Sequence, residues 1–189
     1  MKYPLRLRSA LVAGLALVVS AGAPALGADV TLARPGVITA IGQAADVISV
    51  RILLNTQLKL GLDFKPLAQV GDLAGMKTVV MVVGASAKGL GAAGLDMDKE
   101  LARTRALLQA AKAQGVQVLV MHTGGESRRG KTSNDLIEMV VPDAAFVVVV
   151  ASGNKDKRFQ TLASKRNIPV AEVERLAGAG EVVKGLFKK

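Results

Sequence analysis

Three glycine-rich segments carry most of the residues in this sequence that could do chemistry. They are Gly84-Ala-Ser86-Ala-Lys88-Gly89-Leu-Gly, His122-Thr-Gly-Gly125-Glu126-Ser-Arg128-Arg129-Gly-Lys131, and Ala151-Ser-Gly-Asn154-Lys155-Asp156-Lys157-Arg158. Together they hold seven cationic residues against the two acids Glu126 and Asp156, a local excess of +5. Glycine leaves backbone N–H groups accessible, and guanidinium and ammonium groups add charged donors, so the combination suits a carboxylate or phosphate. The expected ligand-binding set is Gln43, Ser86, Lys88, Gly89, His122, Gly125, Glu126, Arg128, Arg129, Asn154 and Lys155, gathered around a small anionic molecule.

The same residues allow a second chemistry. Ser86 follows a strand, as a nucleophile on a strand-to-helix turn does, and His122 offers a general base that Glu126 or Asp156 orients. Lys88 offers a serine–lysine pairing instead. Against this, Gly84-Ala-Ser86-Ala-Lys88 lacks the final glycine of the nucleophile-elbow pattern. Binding rather than turnover is therefore expected, with a serine-dependent hydrolase or transferase as the alternative. A third reading is an interaction module, in which the basic edge meets a membrane transporter or envelope protein.

Two motifs point toward nucleotides, and both fail on context. Gly125-Glu-Ser-Arg-Arg-Gly-Lys-Thr132 fits G-x-x-x-x-G-K-[ST] between a strand and a helix, but the neighbouring strand Phe146 to Val150 ends without a magnesium-binding aspartate. Gly89-Leu-Gly-Ala-Ala-Gly94 fits G-x-G-x-x-G, yet it starts five residues after Gly84 and lacks the acidic residue expected after the next strand. His122 is the one histidine and there is no cysteine, so thiol chemistry, iron–sulfur clusters and multi-histidine metal sites are excluded. No metal and no other cofactor is expected. Nucleic acid is not expected either, because base stacking needs aromatic side chains and beyond Tyr3 the chain has four phenylalanines and no tryptophan.

The elements that must position these segments alternate short β-branched runs with longer amphipathic ones. The runs Val37 to Ile41, Leu62 to Leu67, Thr78 to Val83, Val116 to Met121 and Phe146 to Val150 predict strands, the second at an edge because Pro66 lacks a ladder donor. Helices are predicted over 43–57, 96–114, 133–140 and 157–166, with Gly84 to Gly94 as loop and Ile168-Pro169-Val170 as a terminal strand fragment. Right-handed crossovers then give an α/β three-layer sandwich on a five-stranded parallel sheet in the flavodoxin-like order 2-1-3-4-5. In such sheets ligands enter at the carboxyl ends of the strands, where all three glycine-rich segments fall.

The first 27 residues read as a cleavable signal peptide: Lys2, Arg6 and Arg8, an apolar run from Ala10 to Ala25, and a small-residue exit at Ala25-Leu-Gly27. Cleavage before Ala28 leaves one domain over 28–189, exported to the periplasm or the extracellular space. Three of the 25 basic residues and none of the 15 acids lie in that segment, so the net charge falls from +10 to +7. The segments starting at Gly84, His122 and Ser152 together resemble a family of small exported bacterial α/β proteins catalogued only as a domain of unknown function. The resemblance covers nearly all of the chain after the signal and implies no activity.

Overall fold

The computed structural model describes residues 30–187, and in it the β-branched runs become one parallel sheet. β1 (Gly36–Ile41), β3 (Thr78–Val83), β4 (Gln117–His122) and β5 (Phe146–Val150) are buried throughout except at Gln117. Burial on both faces is why they read as continuous apolar runs rather than alternating ones. β2 (Asp63–Phe64) and β6 (Val170–Val173) form the edges of the order β2-β1-β3-β4-β5-β6. The expected signal segment lies outside the described residues. Among the described residues, no helix is long and apolar enough to cross a membrane.

The sheet thus has six strands, where the sequence predicts five. The strand after Pro169 is real: Pro169 donates nothing, but its carbonyl accepts from Val147 N at 3.0 Å, and the ladder continues from Val170 on the solvent-facing edge. β2 takes the predicted edge position, in register with β1 at Asp63 and Phe64, and backbone bonds to β1 run on from Lys65 N to Ile38 O at 3.0 Å and from Ala40 N to Pro66 O at 3.1 Å.

The first helix starts later than predicted, as α1 (Asp46–Arg51), because Gly42 (φ 94°) and Gln43 (φ 57°) hold the left-handed conformation. It widens into a π-helical turn over Ile52–Gln57. That turn presents Asn55 to the backbone N–H and carbonyl of Leu62, at 2.9 and 2.7 Å, which fixes the approach to β2. The glycine-rich stretch is not all loop: it contains α2 (Ala87–Ala92). α3 (Met97–Gln114) runs from its Asp96 cap to Gly115 at φ 66°, as predicted. α4 (Lys131–Val140), α5 (Arg158–Ser164) and α6 (Leu176–Leu186) complete the set.

The period-two alternation of the strands divides the core between two layers. Val79, Met81, Val118, Val120, Val147 and Val149 meet α3, α4 and α5 through Leu107, Leu136 and Phe159. Ile38, Val80, Leu119, Met121 and Val148 face the opposite way, onto Val50 and Leu54 of the α1 segment and Ala179 and Val183 of α6. Three layers result, and the loops at the carboxyl edge rest on a floor that is buried on both sides.

Candidate functional site

The order of the strands reverses between β1 and β3, and in this class of sheet the crevice at that point receives ligands. Here the chain's own backbone closes it. Gly84 N donates to Ile41 O at 2.9 Å, Ser86 N to Gly42 O at 2.8 Å, and Ala44 N to Gly84 O at 3.2 Å, while Gln43 bridges Ala85. A Cβ at Gly89 would lie 1.9 Å from the Gln43 carbonyl oxygen, so α2 approaches this turn only because residue 89 has no side chain. Ser86 caps α2, its Oγ accepting from Gly89 N at 3.1 Å.

Beneath the closed crevice lies an ion pair that the sequence does not announce. Glu100 is fully buried and Arg103 nearly so, both on α3. Glu100 Oε1 accepts from Gly42 N at 2.6 Å and from Arg103 Nη2 at 2.8 Å, and Oε2 accepts from Arg103 Nε at 2.8 Å. Arg103 also donates to Ala68 O at 3.0 Å and Ala40 O at 2.5 Å. The pair ties α3 to the end of β1, to the turn after it and to the crossover after β2. Gln43 joins through Nε2, 3.3 Å from Glu100 Oε1.

Between β4 and β5 the loops lock onto His122, which has no exposed surface. Its Nδ1 lies 2.9 Å from Val83 O and its Nε2 3.2 Å from Gly125 O, with Phe159 beside the ring at 5.3 Å between centroids. A Cβ on Gly153 would lie 2.7 Å from the same ring. Burial pushes the imidazole below its ordinary value of 6.5 and the Arg129 cation adds to this, while the two carbonyl hydrogen bonds and the Asp46 charge oppose it.

The unfolded ring therefore takes up a proton as pH drops through 6.5, where the folded one resists. Stability above that pH should be independent of His122 and then fall on acidification, by at most ~1.4 kcal/mol per pH unit from this one group. Urea unfolding between pH 7.5 and 5.5 checks this, and a His122→Asn variant should lose the slope whatever its baseline stability. Equal slopes in both proteins would reject the assignment.

The cations of this edge mostly have partners. Arg128 pairs with Asp46 at 2.9 Å, Arg129 with Asp156 at 2.7 Å, Lys131 with Asp135 at 2.8 Å and Lys155 with Glu126 at 2.6 Å. Lys157 meets Glu172 at 2.8 Å, and Arg158 meets Glu138. The lysine and arginine contacts hold Glu126, Asp156 and Glu172 below the ordinary carboxylate range. Seven cations thus face six acids, four of which come from segments outside the loops. Lys88, exposed on α2, is in no ion pair among the described residues.

Two clefts remain open, one on either side of Arg129. The first, of about 280 Å³, lies between the β3–α2 turn (Ala85, Ala87) and the start of α4 (Gly130, Lys131, Thr132). No side chain caps α4, Gly130 stands at φ 139°, and Ser133 turns its Oγ to accept from Ala85 N at 2.9 Å. The second, of about 270 Å³, is lined by Glu126, Asn134, Ser152, Lys155 and Asp156. Arg129 commits four of its five N–H groups, to Asn134 Oδ1, Gly153 O and both Asp156 oxygens, leaving one on Nη2. Among the described residues, no three His, Cys, Asp or Glu side chains converge as metal ligands.

A family model described as Domain of unknown function (DUF6305) matches residues 33–187, which takes in all of these loops. The chain belongs to the DUF6305 family. No curated protein and no solved structure matches it.

Within this DUF6305 domain, the expected site residues fall into three groups. Gly125, His122, Arg128, Arg129, Glu126 and Lys155 form one contiguous network with Gly84, Gly124 and Gly153. Asn154 is buried and bonded to Gln160, Glu172 and Phe159 N, so its amide is spent inside the protein. Gln43, Ser86 and Gly89 build the closed turn, with Lys88 beside them on α2. Ser86 and His122 have separate partners and no hydrogen bond joins them.

The G-x-x-x-x-G-K-T match of the DUF6305 domain folds as a 3₁₀ turn over Gly125–Arg128 ahead of α4, and its lysine side chain is 89% exposed. Sequence reasoning missed the Glu100–Arg103 pair. Its one visible signal was an acid and an arginine three residues apart on an otherwise apolar face of α3.

Proposed function

We propose that this DUF6305 domain is an exported binding or accessory protein for a small anion, received in the cleft between the β3–α2 turn and the amino end of α4. The observation that carries this reading is the uncapped start of α4. The first N–H groups of a helix lack intrahelical partners and sum with the peptide dipoles to a partial positive charge. At Lys131 and Thr132 they open onto a cleft that the Arg129 guanidinium also lines. A compact carboxylate or phosphate offers acceptors to both. The signal-like first 27 residues support export.

Calorimetry at low salt against phosphate, sulfate and acetate tests the proposal. Lys131 is ideal for substitution because its side chain is exposed and its removal disturbs no core. Lys131→Glu should weaken binding tenfold or more by reversing a charge at the cleft. Lys131→Pro should weaken it by removing one donor at the first helical position, where proline is tolerated. If the folded wild-type protein binds none of these anions, or both variants bind as it does, the proposal is wrong.

A further inference from the structure

The opposite end of the sheet holds a further cleft, of about 350 Å³, at the amino ends of β4, β5 and β6. Its floor is apolar: Leu108 of α3, Val116 before β4, Val118 of β4, Ala144 before β5, and Ile168 before β6. Its charged lining residues are Lys112 of α3 and the paired Arg166 and Asp143. Arg166 uses Nη1 for Pro142 O at 3.1 Å and Asp143 Oδ1 at 2.8 Å, which leaves its Nε and Nη2 uncommitted. Lys112 is in no ion pair among the described residues.

We infer that this cleft is a separate binding site for a small monocarboxylate with an apolar body, its hydrocarbon on the Leu108–Val118–Ala144–Ile168 floor and its carboxylate between Lys112 and Arg166. Sign and size both select that class. Two cations and one acid leave a single net positive charge, which matches a monoanion and not a dianion. The volume is at the small end of ligand sites, roughly 300–1,000 Å³, and the mix of apolar lining with a few polar groups is what such sites show. Lys112 in the last turn of α3 also complements the helix dipole. The dipole alone does not require an apolar floor left open between two cations with spare donors. The inference is independent of the proposed anion site: that site offers helix N–H groups to a compact anion, whereas this one offers hydrocarbon and side-chain cations.

Titration with octanoate, followed by calorimetry and by backbone amide shifts, is the test. Octanoate should bind saturably, with shifts at Val116, Val118, Ala144 and Ile168, while octanol and phosphate bind at least tenfold more weakly. Lys112→Glu should weaken octanoate binding tenfold or more. Lys184→Glu makes the same charge change in the last turn of α6 and should leave it unaltered. Ala144→Leu, which fills the floor, should abolish it in a protein whose melting shows that it is folded. The inference is overturned if the folded wild type shows no saturable octanoate binding, if octanol binds equally well, or if Lys112→Glu binds as wild type does.

Discussion

Glu100→Gln should destabilise the domain by ~3–5 kcal/mol, seen as a large fall in the urea midpoint with little change in slope. The carboxylate is fully buried and satisfies Gly42 N as well as two nitrogens of the Arg103 guanidinium. An amide removes the negative charge and turns an NH₂ group toward donors, leaving Arg103 as an unpaired buried cation. The double variant Glu100→Leu/Arg103→Met should be less damaged than Glu100→Gln, because no charge is then stranded. It should still cost ~1–3 kcal/mol, since Gly42 N and the Ala40 and Ala68 carbonyls lose their partners. A single variant within ~1 kcal/mol of wild type would mean the pair is not the fastener described above.

Glycine-to-alanine substitutions two residues apart on α2 should have opposite signs. At Gly89 the added Cβ would meet the Gln43 carbonyl oxygen at 1.9 Å, and that oxygen belongs to backbone held by the Gln43–Ala85 bridge and by the Gly42 N–H bond to Glu100 below. Neither side can move without opening the turn, so Gly89→Ala should cost of order 2–4 kcal/mol. At Gly91 an added Cβ meets nothing within 4 Å. Gly91→Ala should be neutral or stabilise by up to ~1 kcal/mol through helix propensity alone. Thermal and urea melts of the two variants check this directly; equal effects would show that the approach of α2 to the β1 turn is not tight.

Four of the strands were legible because burial on both faces writes the same signal at every position. β6 was legible only as a strand fragment around Pro169, since it is short and carries Glu172 in its middle. α2 was hidden by its two glycines, although Ser86 stands where a cap belongs. The basic character of the loops was legible, but its consequence was not. Asp46, Asp135, Glu138 and Glu172 neutralise Arg128, Lys131, Arg158 and Lys157 from α1, α4 and β6. A charge count along the chain cannot see partners that only folding brings near. The Glu100–Arg103 pair was missed for a related reason: helical spacing shows that they share a face, not that the face is buried against three other segments.

What survives at the carboxyl edge is therefore less a field of free charge than one uncapped helix start beside a largely committed arginine. Backbone amide shifts during a phosphate titration at low salt test that claim most directly. The account predicts saturable shifts concentrated at Lys131, Thr132, Ser133 and Ala85, lost in Lys131→Glu. Shifts that never saturate, or that spread over exposed lysines while these four amides stay still, would contradict it.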